Sequence, residues 1–284
     1  MEKLASNLYQ LEKSVFVVVG PEGTTNFGIV RGDDGAALLV DADIRRIDEI
    51  EDALKKAGCR KVDYLFNTHE NFDHSSANYY FEKNGTLIVA SEGCWKALKV
   101  DGEAKFAEMS HSEEELWKRF PDMKMGLPHV SFSQTATIYL SGVTSRLVYY
   151  AVNGQGHSRG DAVAFLDKER ILLTGDLLYT EVHPVMYYGH IPNWLESIDL
   201  LSVQDFDCVV PGHGPVVEGR AACLQAFSRF RNYLEDFDQQ LSDARSGRKS
   251  AAEVHAHMTS KDYARLGKTW MLKRNIDFFL KEAK

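Results

Sequence analysis

Cysteine is scarce and scattered. The 284-residue chain has four, Cys59, Cys94, Cys208 and Cys223, with no C-x-x-C pair. That excludes a disulfide framework and gives a thiolate metal site no spacing to build on, so four reduced thiols in or near the core are expected. Long apolar runs are also missing. None approaches the roughly 18 residues that span a bilayer. The start, Met-Glu-Lys-Leu-Ala-Ser-Asn-Leu-Tyr, has no basic segment followed by an apolar one. A cytoplasmic protein without a membrane partner is expected. An excess of positive charge is absent as well: Lys+Arg 33 against Asp+Glu 41 gives −8, with the acids dispersed. This balance argues against nucleic acid as a partner. There is no short-period repeat and no low-complexity linker.

What is present suits a packed protein. An apolar fraction of 44% predicts a core, and the length allows one large domain or a core domain with an appendage. Apolar runs bounded by turn residues predict strands over 15–20, 27–31 and 36–41, followed by a helix over 44–57. Further strands are expected at 61–67 and 87–90. The helix between them would be capped by Ser75 and Ser76, use 79–81 as its apolar face and stop at Asn84-Gly85. The second half repeats the style, with strands at 135–140, 147–151, 162–167, 171–174 and 208–210, and a helix at 194–201. Two runs of strands, each with flanking helices, predict an α/β protein: a four-layer αββα sandwich over 1–217. Two additions are expected. One is a polar helical insertion at 101–127. The other is a helical C-terminal extension at 218–284, whose Leu224, Phe227, Phe230, Tyr233 and Phe237 must cover either the core, as a lid, or a second subunit, as a homodimer interface.

Chemistry concentrates at four strand ends. Thr68-His69-Glu70-Asn71-Phe72-Asp73-His74 leaves one strand and opens a helix. Gly154-Gln155-Gly156-His157-Ser158 bends sharply after a second. Gly175-Asp176 ends a third, and Pro211-Gly212-His213-Gly214 ends a fourth. Each group follows an apolar strand, and His157, Asp176 and His213 each stand beside a glycine. Histidines and carboxylates delivered from several rigid strand ends are what a metal site requires. His111, His129, His255 and His257 lack such a context and are expected to be solvated.

In this order the motifs resemble those of the metallo-β-lactamase superfamily: H-x-H-x-D-H, a glycine-rich histidine turn, a G-D strand end, then P-G-H-G, over about residues 5–217. The resemblance implies a first metal position at His69, Asn71 and His157. It implies a second at Asp73, His74 and His213, with Asp176 bridging the two and Asp41 supporting them from behind. The departure is Asn71, where the family has histidine. A neutral amide is the weaker zinc ligand and suits harder cations, so the resemblance implies either one ion in the second position or two with the first held weakly. Zinc is the expected cofactor, one ion or two, with iron or manganese as alternatives. The implied activity is a metal-dependent hydrolase that uses a zinc-activated water, with Asp73 orienting or deprotonating it, on a small ester, lactone, thioester or β-lactam-like substrate. The family's pocket border falls on 179–194, making His183, Tyr187 and His190 the expected substrate contacts. Two alternatives remain: a diiron redox enzyme of the same fold, whose motif has glutamate where Asn71 stands, and a catalytically weakened binding or regulatory member.

Overall fold

Strands buried on both faces make the centre of the molecule. The computed structural model describes residues 1–111 and 113–281. Among them β1 (Glu2–Lys3), β2 (Leu8–Glu12), β3 (Val15–Val18), β4 (Phe27–Arg31), β5 (Ala36–Val40), β6 (Lys61–Asn67), β7 (Leu87–Ser91) and β8 (Val130–Phe132) lie side by side in chain order. The pairings are antiparallel as far as β5 and parallel from β5 to β8. A second sheet holds β9 (Thr135–Leu140), β10 (Val143–Tyr149), β11 (Ala162–Leu166), β12 (Ile171–Tyr179), β13 (Cys208–His213) and β14 (Val217–Glu218). Only β12 and β13 run parallel there.

The period-two alternation of a strand sorts side chains between the layers. In β3, Val15 and Val17 turn inward against Leu147, Leu166 and Leu173 of the other sheet. Phe16 and Val18 turn outward against Ile47 and Ile50. The outer layer on that side comprises α1 (Ile47–Lys56), α2 (Phe72–Ser75), α3 (Asn78–Lys83), α4 (Glu92–Ser110) and α5 (Glu114–Arg119). The other sheet is covered by α6 (Ile191–Ser202), α7 (Arg220–Arg245), α8 (Ala251–Met258) and α9 (Thr269–Lys281). The expected four-layer αββα sandwich is the architecture observed.

The helices after residue 218 form a layer of this sandwich. Phe227, Phe230, Leu234 and Ile276 share one core with Leu172, Leu178 and Val209 of β12 and β13, and with Trp194 of α6. Residues 282–284 of the expected extension, and residue 112 of the expected insertion, lie outside the described residues. No described helix is long and apolar enough to cross a membrane. The four cysteines are free, with Cys94 and Cys223 buried.

Several local expectations need correction. Ser75 and Ser76 do not cap a helix: the Ser75 hydroxyl donates to the carbonyls of Glu70 and Asn71, and that of Ser76 accepts from Ile44 N. They tie the motif loop down instead. The helix at 44–57 opens with a 3-10 turn, Ile44–Arg46, because Asp43 accepts from Arg45 N and holds the first turn tight. The helix at the start of the insertion begins earlier, at Glu92, where the Ser91 hydroxyl caps Cys94 N. Strand β12 runs on through Asp176 to Tyr179, so that carboxylate lies within a strand. His129 is exposed as expected, though its Nδ1 accepts from Ile88 N at 3.1 Å. His257 is exposed but ion-paired with Asp236 at 2.8 Å.

Candidate metal centre

The ends of β5, β6 and β13, the interior of β12 and the loop before β11 converge between the two sheets. Just past β5, Asp41 adopts a left-handed backbone, φ 61°, which aims its buried carboxylate at the turn after β6. It accepts from Thr68 N, Thr68 Oγ1 and His74 Nδ1, each at 2.8 Å. In β12 the register against β13 shifts on both sides of Gly175, a bulge that re-aims the following side chain. Gly175 has φ 51°, and a Cβ there would lie 2.4 Å from Thr68 Oγ1. Asp176 is thereby turned between the sheets. Gly212 leaves the carboxylate its space, since a Cβ there would fall 2.0 Å from Asp176 Oδ1.

Asp176 divides the histidines into two sets. Its Oδ1 lies 3.2 Å from His74 Nε2 and 3.3 Å from His213 Nε2. Its Oδ2 lies 3.6 Å from His69 Nε2 and 3.4 Å from His157 Nε2. Asp73 Oδ2 closes the first of these sets, 3.4 Å from His213 Nε2 and 3.7 Å from His74 Nε2. Two groups therefore have ligand-capable atoms close enough to share an ion: Asp73 with His74 and His213, and His69 with His157 and Asp176.

Hydrogen bonds behind the rings fix the tautomers. His74 Nδ1 donates to Asp41, and His213 Nδ1 faces the Gly23 carbonyl at 2.9 Å. The Thr68 hydroxyl donates to Asp41 and so accepts from His69 Nδ1 at 3.0 Å. In all three rings these contacts place a proton on Nδ1 and turn Nε2 inward, the nitrogen whose lone pair a metal ion takes in place of a proton. All three Nε2 atoms, with Asp176 Oδ1, are buried without a hydrogen-bond partner among the described residues. Orphaned acceptors converging on one space are what a cation would satisfy, so the donor set fits a metal ion.

The two halves are unequal. In the His69 half two of the three inner atoms have protein partners, Asn71 Nδ2 lying 3.1 Å from His157 Nε2 and the Tyr179 hydroxyl donating to Asp176 Oδ2, while His69 Nε2 has none among the described residues. His157 also lacks support behind, because its buried Nδ1 has no partner among the described residues. In the His213 half, His74 Nε2, His213 Nε2 and Asp176 Oδ1 are all free. Charge follows the same division. Burial would lower the His74 imidazole, but Asp176, Asp41 and Asp73 outweigh it and lift it well above its usual value. Burial works against ionising Asp73 too, yet His74 and His213 hold its carboxyl below the ordinary range. In the other half burial keeps His157 down at about 4.

Of the expected substrate contacts only Tyr187 faces the space in front of these groups. It lines a cavity of about 840 Å³ whose floor includes Asn71 and Asp73, with Phe106, Arg274 and Phe278 among its walls. His183 is fully buried, with Nδ1 2.9 Å from the Tyr233 hydroxyl. The chain dives under the helical layer there and buries the ring. His190 is exposed and caps α6, accepting from Asn193 N at 3.3 Å. Both are corrections to the sequence expectation. Sequence reasoning also missed Thr25, whose hydroxyl donates to Asp73 at 2.6 Å, and Tyr179. Tyr179 could have been found by extending the strand three residues past Asp176. Thr25 carries no local signal.

A family model described as the metallo-beta-lactamase superfamily matches residues 20–213. No curated protein matches the sequence. Among solved structures, a double mutant of the sec-alkyl sulfatase PisA1 of Pseudomonas has a TM-score of 0.70 at 13% identity, over 97% of this chain and 50% of that one. A metallo-beta-lactamase family protein from Thermus thermophilus has a TM-score of 0.66 at 20% identity, over 93% of both chains. The metallo-beta-lactamase DIM-1 has a TM-score of 0.59 at 17% identity, over 80% of this chain and 96% of that one. The chain thus spans half the length of the sulfatase, and at these identities the likeness is one of fold.

Proposed function

This chain belongs to the metallo-β-lactamase superfamily, and on that premise we propose that it is a hydrolase working with one divalent metal ion, zinc, held by Asp73, His74, Asp176 and His213. The observation that carries this reading is the set of unpartnered inward atoms on that side, His74 Nε2, His213 Nε2 and Asp176 Oδ1. Across the site, Asn71 and Tyr179 engage His157 Nε2 and Asp176 Oδ2, two of the three atoms a second ion would need. Two imidazoles and two carboxylates are an ordinary donor set for zinc.

When bound, such an ion supplies Lewis acidity and lowers the pKa of a coordinated water towards ~7. The chain's own groups do the rest. Asp73, ionised and steadied by the Thr25 hydroxyl, orients the attacking water and takes its proton. His69, held well below its usual basicity by burial, stays neutral and presents Nε2 to Asp176 Oδ2 at 3.6 Å. Tyr187 and the aromatic walls hold the substrate over Asp73 and exclude bulk water. The cavity suits a small ester, lactone, thioester or β-lactam-like substrate. A diiron redox reading would need a carboxylate ligand where Asn71 stands.

The test is turnover of 4-nitrophenyl esters, a thioester, a lactone and a chromogenic cephalosporin by zinc-loaded protein, with and without a chelator. The proposal expects hydrolysis in at least one class, abolished by chelation and restored by zinc. Metal-replete protein that turns over none of them contradicts it and favours a binding or regulatory role.

A further inference from the structure

A second cavity, of about 770 Å³, has Tyr179 in its lining but none of the proposed metal ligands. Its walls are one face of α7, the chain just after β12, the approach to β14 and the segment 261–266. On α7 the lining residues Ala222, Ala226, Arg229 and Tyr233 recur at three- and four-residue spacing, so they share a face. A hollow of this size suits a small organic molecule. Charge there is one-sided. Arg229, Lys261 and Arg265 line the cavity against a single carboxylate, Glu181, among the described residues. None of the three cations has a carboxylate within 4.0 Å or a side-chain hydrogen bond among the described residues. Two acids on the same elements are engaged elsewhere: Asp236 with His257 at 2.8 Å and the Tyr263 hydroxyl at 2.9 Å, and Glu218 with the N-terminal amine at 2.8 Å.

The wall that carries two of the cations is held in place. Lys261 has a left-handed backbone, φ 47°, a conformation that L side chains adopt at a cost and that persists where surroundings enforce it. Tyr263 supplies the enforcement. Its hydroxyl donates to Asp236, and its ring stands edge-on to Tyr233 at 5.3 Å. Backbone bonds close the segment: Tyr263 N donates to Ser260 O at 3.0 Å, Leu266 N to Tyr263 O at 3.0 Å and Gly267 N to Glu181 O at 2.9 Å. The cavity is therefore formed before any ligand arrives, which lowers the ordering cost of binding. Val216, Ala226, Tyr263 and Leu266 are only half-buried and leave it an apolar surface.

We propose that this cavity is a second binding site, separate from the metal centre, for an organic phosphate monoester with an aromatic body. Three cations against one carboxylate leave a surplus of two positive charges, and a phosphate monoester carries about two negative ones at neutral pH. The guanidinium forks of Arg229 and Arg265 match phosphate oxygens in pairs, and the aromatic body lies over Val216, Ala226 and Leu266. The site stands apart from the hydrolase reading, and the failure of either leaves the other untouched.

The probe is 1-naphthylphosphonate, a phosphate-ester mimic that resists hydrolysis, titrated by calorimetry into the full chain with zinc and again with excess chelator. It should bind at least about tenfold more tightly than neutral 1-naphthol, and equally well in both conditions. R229Q and R265Q should each weaken it by about fivefold, the scale of a solvent-exposed charge pair, while E181Q should tighten it by about twofold. These side chains are exposed, so the unfolding temperature should stay where it is in all three variants. Naphthol that binds as tightly as the phosphonate, or phosphonate affinity unmoved in the double arginine variant, overturns the proposal. Binding that vanishes with the chelator puts the anion on the metal and overturns it too. Equal affinity for 1-naphthoate refutes the match to a dianion, and equal affinity for inorganic phosphate refutes the apolar half of the site.

Discussion

Asp41→Asn isolates the support behind His74. The carboxylate Oδ1 accepts from Thr68 N, while Oδ2 accepts from Thr68 Oγ1 and His74 Nδ1. An asparagine keeps the volume and tolerates the left-handed φ of 61°, so backbone strain does not confuse the result. The amide can be turned only two ways. With oxygen towards Thr68 N, its NH2 faces the His74 Nδ1 proton, and the ring must move that proton to Nε2 and lose its inward lone pair. Turned the other way, the NH2 confronts the Thr68 N–H, a buried donor left without an acceptor at ~1–3 kcal/mol of stability. Losing such support behind a ligand typically weakens metal binding by about 10- to 100-fold, or ~1.4–2.7 kcal/mol. Zinc competition against a chromophoric chelator and urea unfolding of the metal-free protein together read both outcomes. A variant within about threefold of wild type in zinc affinity and within ~0.5 kcal/mol in stability would refute the reasoning.

Other perturbations test neighbouring parts. Gly212→Ala places a methyl 2.0 Å from Asp176 Oδ1 and should displace that carboxylate, abolishing zinc binding in calorimetry while far-UV circular dichroism is kept; stoichiometric binding would show that Asp176 is not the anchor. Burial holds His183 down at about 4, against ~6.5 in an unfolded chain. Its folded form therefore refuses a proton that the unfolded chain accepts. Stability from this group is intact above pH ~6.5 and falls as pH drops towards 4, by no more than about 3 kcal/mol. Urea unfolding of metal-free His183→Gln at pH 7 and pH 5 should show a shallower pH slope than wild type, and an unchanged slope would mean the ring is not held neutral. Zinc at about a hundredfold over its Kd should stabilise the wild-type fold by ~2.7 kcal/mol, seen as a higher unfolding temperature, whereas no shift would mean no ion is bound.

The sandwich was legible because its strands are buried on both faces and so read as apolar runs broken by glycine turns. The motif residues were legible for a related reason: each group stands where such a run ends or bulges, and His157, Asp176 and His213 adjoin a glycine. What the sequence hid was contact between distant segments. Thr25 reaches Asp73 across 48 positions and Lys268 reaches His213 across 55, with nothing local to mark either. His183 and His190 resembled pocket residues because they share a loop with Tyr187. Whether each faces the cavity depends on how α6 and α7 cover that loop, which is a packing outcome. The 218–284 segment showed an apolar face, but only packing reveals that β12 and β13 lie beneath it.

The central claim is one ion on the His74–His213 side, with Asn71 and Tyr179 closing the other. The direct measurement is zinc per chain by plasma mass spectrometry after equilibration with excess zinc and desalting, for wild type and for the Asn71→His, Tyr179→Phe double variant. One zinc in wild type, lost in His213→Ala, and two in the double variant is the expected result. Two ions in wild type, or one that survives loss of His213, contradicts it.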